Sequence, residues 1–94
     1  MVIFHVRLNE RIPYDMDPEL RADHVQRHGE ALRELAAAGV LKHCWREAGT
    51  RSDIAVFQAA DPAELHEILG SLPLFRFLTT EVTVLMPHPD LGQG

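Results

Sequence analysis

A chain of 94 residues is one domain, residues 1–94. So short a chain buries a modest share of its surface, so association of copies is a natural way to gain core. The formal net charge of −5 excludes the basic footprint of a nucleic-acid binder, and there is no basic run suited to a membrane surface. Cys44 is the only cysteine and fits a reduced, cytoplasmic setting; no apolar run approaches a membrane span, and no signal-peptide pattern is read at the N-terminus.

Val2 to Leu8 alternates, with Val2, Phe4, Val6 and Leu8 on one face and Ile3, His5 and Arg7 on the other. That period predicts a strand with the first face buried. Asn9 to Met16, with Pro13, reads as a connection. Asp17-Pro18 opens a helix, Asp as cap and Pro in the first turn. The helix is expected to run to about Ala38 and stop at Gly39. Leu20, Val25, Ala31, Leu32 and Leu35 form its apolar stripe, with His28 near the middle and His24 and Arg21 beside it.

Val40 to Glu47 predicts a second strand, Leu41, His43 and Trp45 on one face and Lys42, Cys44 and Arg46 on the other. A turn at Ala48 to Arg51 leads to a third strand, Ser52 to Gln58, paired back as a hairpin. Asp61-Pro62-Ala63-Glu64 starts the second helix with a capping-box spacing, and Leu65, Ile68, Leu69 and Leu72 form its buried stripe. His66 lies off that stripe, toward solvent. Pro73 then ends helical bonding, and Leu72, Leu74, Phe75 and Phe77 crowd into Ser71 to Phe77. Such density must be buried, against the sheet, a partner or a small ligand. Glu81 to Pro87 predicts a fourth strand with Val82, Val84 and Met86 on one face, and a loose tail follows from Leu91.

The order βαββαβ is that of the ferredoxin-like α+β sandwich, with two helices on one face of a four-stranded antiparallel sheet. The other face would show Val, Leu and Trp to water, which predicts that a second copy packs there, with Ser71 to Phe77 also in subunit contacts.

Among residues able to carry chemistry, His28 comes first. An imidazole between helix and sheet is either hydrogen-bonded core or a proton carrier titrating near neutrality. His24 and His28 share a helix face and could chelate a metal, but a third ligand is needed; His5 or His43 could approach from the sheet, yet no spacing fixes either, and no metal is expected. His5, Tyr14, His43, Arg46 and Asp53 are the other polar candidates. Arg46 could hold a carboxylate by a two-pronged contact, or pair at the surface with Glu47 or Glu81. Asp53 is either a second acid/base or, preferentially, an edge-strand charge. A Gly-rich phosphate loop, a paired-Cys motif and a nucleophile elbow are all missing, so nucleotide chemistry and acyl transfer have no support.

ELHEILGSLPLF, followed by a strand and His88-Pro89, resembles the muconolactone isomerase family. IFHV (Ile3 to Val6), DMDP (Asp15 to Pro18), HCWREAG (His43 to Gly49) and Val56-Phe57 agree with the family pattern in the same order, so the resemblance spans roughly residues 3 to 89. It implies a cofactor-free isomerase that moves a C=C bond in a small lactone bearing an acetate arm, in aromatic breakdown by the β-ketoadipate route. It implies a ring-shaped decamer of ferredoxin-like dimers of the α/β-barrel type. It also implies a cavity; there His28 and His24 are the candidates for the proton chemistry, with His5, Tyr14, Arg21, His43, Arg46, Asp53, Phe57, Leu74 and Phe75 as candidates around the substrate. The family pattern has a Lys and a Glu near the positions of Val25 and His28, a Pro where Arg76 stands and an Asn where Asp53 stands. A diverged member acting on another lactone or ring, and a non-catalytic ligand-binding oligomer, are the alternatives.

Overall fold

Four strands form one antiparallel sheet in the order β2-β3-β1-β4. The computed structural model describes residues 1–92; Gln93 and Gly94, the end of the expected tail, lie outside the described residues. The elements are β1 (Val2–Glu10), α1 (Pro18–Ala37), β2 (Leu41–Arg46), β3 (Ser52–Ala59), α2 (Pro62–Gly70), a 3₁₀ turn (Phe75–Phe77) and β4 (Leu78–Leu85). This is the ferredoxin-like order the sequence predicts.

The helix starts follow their punctuation. The Asp17 carboxylate accepts from the Leu20 N–H at 3.1 Å, with Pro18 in the first turn. At α2 the capping box is complete: the Glu64 N–H donates to Asp61 at 2.8 Å, and the Glu64 carboxylate accepts from the Ala60 N–H at 3.2 Å. Gly39, at φ 78°, takes the left-handed conformation that ends α1.

The core lies between sheet and helices. Phe4, Val6 and Leu8 of β1 and Ala55, Phe57 and Ala59 of β3 are buried, Phe4 opposite Phe57 and Val6 opposite Ala55. Leu65 and Leu69 of α2 close over them, and Leu72, just before Pro73, joins the same cluster. Each such Leu or Phe contributes about 1.5–3 kcal/mol when fully buried. Leu74 is buried too, whereas Phe75 reaches the surface, so the Ser71 to Phe77 stretch is core for its leucines only.

Three local expectations are corrected. The register of β2 on β3 shifts between Leu41 and His43, so Leu41 pairs with Phe57 and is buried on the helix side, while His43 and Trp45 point away from the helices. The extra residue at Lys42 is a β-bulge, which breaks strict alternation. On α1 the apolar seal is confined to Ala31, Leu32 and Leu35; Leu20 and Val25, at the flanks of the stripe, are exposed, and His28 is the buried residue of the helix. Strand β4 begins at Leu78, not Glu81, because Leu78 to Thr80 already pair with Leu8 to Glu10. No helix among the described residues is long and apolar enough to cross a membrane.

Candidate active site

One end of the helix–sheet interface is polar. Every second residue of a strand shares a face, so Glu10 continues the line of Phe4, Val6 and Leu8 toward the helices. Asp53, opposite Leu8, does the same from β3, and Arg46, opposite Asp53, from β2. Helix α1 lies over this end with Arg21, His24 and His28 on successive turns of one face. The His24 ring tilts against Phe77, centroids 6.1 Å apart.

His28 is buried, and its Nδ1 finds no hydrogen-bond partner among the described residues. A buried, unpaired polar atom is costly and rare. Burial pushes the His28 imidazole below its ordinary range; the Glu10 and Asp53 carboxylates oppose that shift, and Arg46 adds to it. The ring is therefore held as a neutral acceptor that meets two negative charges and one positive.

The charges around it are paired. Arg46 Nε donates to Asp53 Oδ1, a bond that raises the guanidinium's affinity for its proton. Arg51 Nη2 donates to Glu10 Oε1 at 2.9 Å. In each pair the carboxylate is covered and the arginine is not: side-chain exposure is 16% for Asp53 against 48% for Arg46, and 11% for Glu10 against 62% for Arg51. Cys44, on the same face of β2, has its thiol pushed up by partial covering of the sulfur and by Asp53, against Arg46, which keeps it protonated and unreactive. No three His, Cys, Asp or Glu residues among the described residues come together as a metal-ligand set.

The expected site residues divide by position. His24, His28, Arg46 and Asp53 converge on the polar end, with Arg21 at its margin donating to the Pro13 carbonyl. Phe57 and Leu74 are buried core. His5 and His43 are on the opposite sheet face, His43 stacked on Trp45 at 5.2 Å, because β1 parity and the β2 bulge turn them away from α1. Tyr14 is 96% exposed in the loop before α1. Phe75 meets His66 edge-on and lines an open apolar groove of about 320 Å³ between α2 and β4, whose lining does not include His28. Asp53 is not an edge-strand charge: β3 is an interior strand. Arg46 does not pair with Glu47 or Glu81, both of which are taken by Arg7 on the far face.

The family model described as muconolactone delta-isomerase matches residues 2–91. The chain belongs to the muconolactone delta-isomerase family. Muconolactone Delta-isomerase of Rhodococcus opacus is 38% identical over 88 residues, covering 94% of this chain and 95% of its own. Muconolactone Delta-isomerase 2 of Acinetobacter lwoffii is 40% identical, covering 93% and 91%. The crystal structure of a muconolactone isomerase superposes with a TM-score of 0.88 at 34% identity, covering 94% of this chain and 92% of its own. The fold is shared more widely: a 5-chloro-2-hydroxyhydroquinone dehydrochlorinase from Burkholderia phenoliruptrix superposes at a TM-score of 0.62 with 15% identity over 94% of this chain and 98% of its own.

Within this muconolactone delta-isomerase family member, sequence reasoning missed Glu10, Arg51 and Phe77 as parts of the site. Glu10 and Arg51 sit where a connection and a turn were expected. Extending the β1 alternation by one more step would have put Glu10 beside Leu8 on the inner face.

Proposed function

We propose that this chain is a cofactor-free isomerase that converts muconolactone to its enol-lactone isomer by moving one C=C bond. Family membership over nearly the full length supports the reaction, and the buried His28 with an unpaired Nδ1 supports the site. The reaction needs one proton taken and one returned. In the unsaturated lactone the proton on the ring carbon bearing the acetate arm is activated through the C=C bond by the carbonyl. His28 takes it; the electron pair moves through the double bond onto the carbonyl oxygen; the proton returns at the carbon next to the carbonyl. Atoms and charge balance with no oxidant or co-reactant. A neutral, desolvated imidazole suits the first step, and the imidazolium it becomes suits the last. An imidazole where the family pattern has a carboxylate alters the accepting atom, not the need for one.

His24, on the same helix face, supplies an N–H to the oxygen where enolate charge develops. Arg46 keeps its Nε on Asp53 and turns its terminal nitrogens to the substrate's acetate carboxylate. Copies pack through the outer sheet face, at least as dimers and as a decamer if the family's ring is kept. A cytoplasmic setting completes the reading, on the single Cys44.

The test is His28→Gln, which keeps a polar group of similar reach and removes the proton acceptor. Turnover of muconolactone, followed by absorbance, falls by ~10²–10⁴-fold, while the fold and oligomer persist and His66→Gln is silent. Parental turnover in His28→Gln would return His28 to a structural role.

A further inference from the structure

The site contains a carboxylate to which the reaction as written gives no part. Glu10 ends β1 on the helix-facing side, where its side chain is only 11% exposed. Its backbone is fixed on β3's flank by the Glu10 N–H to Arg51 carbonyl bond at 3.2 Å. Its side chain is fixed by Arg51 Nη2 on Oε1 at 2.9 Å. Covering a carboxylate at the rim of a core is costly unless its charge has a use or a partner. Arg51, mostly in solvent, screens it incompletely. Asp53, the other carboxylate facing His28, is differently placed: its charge is met by Arg46, which itself faces His28. Glu10 is therefore the carboxylate whose negative charge acts on the imidazole with its counter-ion turned outward.

We infer that Glu10 is the positioning carboxylate of the site: anchored by Arg51, it stabilises the His28 imidazolium that forms as the substrate proton is taken, and so sets how readily His28 accepts it. This rests on His28 being the base. Glu10 does not touch the reacting atoms; it acts through His28. The groups that face His28 from the elements around it are Glu10 from β1, Asp53 from β3, Arg46 and Cys44 from β2, and His24 from α1 itself. Arg51 bears on His28 only through Glu10.

The test is a pair of substitutions with opposite expected signs. Glu10→Gln keeps the shape and an acceptor for Arg51 but removes the charge, so His28 titrates lower. Arg51→Gln leaves the Glu10 charge uncompensated, so His28 titrates higher. The titration is read from the His28 ring protons by NMR in the full-length protein without substrate, which keeps it independent of the identity of the lactone. The acid limb of kcat/KM on muconolactone moves in the same two directions, and kcat falls about 3- to 10-fold in Glu10→Gln. A merely structural pair would move both variants alike, through lower stability and an unmoved titration; that result overturns the inference. Loss of turnover in Glu10→Gln with an unmoved His28 titration also overturns it, and makes Glu10 a proton carrier itself. If the two titrations move as stated while His28→Gln keeps parental turnover, the coupling stands, the base assignment fails, and Glu10 loses its catalytic meaning.

Discussion

The Arg46–Asp53 pair is lopsided, and the lopsidedness has a measurable consequence. Asp53 is 16% exposed and Arg46 48%. Removing the arginine strands a covered carboxylate without its donor; removing the carboxylate strands a guanidinium that water already reaches. A hydrogen bond to a charged group contributes about 1.5–3 kcal/mol, and the half-exposed arginine lowers that through solvent screening. Arg46→Met is therefore expected to cost ~1–2 kcal/mol at pH 7, a fall of roughly 5–15 °C in Tm for a domain of this size. Asp53→Asn keeps an acceptor for Nε and is expected to cost under ~0.5 kcal/mol. The double variant should be more stable than Arg46→Met alone, because the stranded charge is gone. Urea midpoints at fixed protein concentration give the comparison. If Asp53→Asn costs as much as Arg46→Met, or if the double variant is no more stable than Arg46→Met alone, the covered-carboxylate reasoning fails.

Other outcomes follow from the same structure. His28 titrates in the folded state below its ordinary 6.5, so between the two values the unfolded chain binds more protons. Stability is then lost on acidification from about pH 6.5 downward, at most ~1.4 kcal/mol per pH unit; His28→Gln should flatten that part of a urea-midpoint profile, and an identical profile would refute it. Asp61→Ala removes the 2.8 Å bond to the Glu64 N–H and should cost about 1 kcal/mol in thermal or urea unfolding, whereas no measurable change would mean the cap is already solvated. Sedimentation at micromolar concentration should show at least a dimer that Trp45→Glu, on the outer sheet face, weakens; a parent that sediments as a monomer would remove the covered-face argument.

Features written in adjacent residues were legible in the sequence. Asp17-Pro18 and the Asp61–Glu64 spacing mark helix starts with local chemistry, and the β1 alternation sorts faces without any partner. His28 could be placed between helix and sheet from periodicity alone. What failed depended on contacts distant in sequence. Asp53 reads as an edge charge until the strand order puts β3 inside. Leu78 to Thr80 carry no clear alternation, and only pairing with β1 makes them strand. Arg46 has several acidic candidates nearby, and pairing decides for Asp53. Glu10 and Arg51 look like ordinary solvated charges; they meet only because two strand ends are neighbours.

The bulge at Lys42 bears on how copies of this chain can meet. It sits on β2, an outer strand of the sheet, whose unpaired backbone groups could template a strand from another molecule. One surplus residue upsets the even spacing of those groups and bends the strand, and the residue it inserts carries a positive charge. Growth along the sheet edge is thereby discouraged. Leu41 and His43 already face the consecutive partners Phe57 and Val56, so deleting Lys42 would make them neighbours in the chain and straighten that border. Such a chain would keep its core and become more prone to open-ended aggregation.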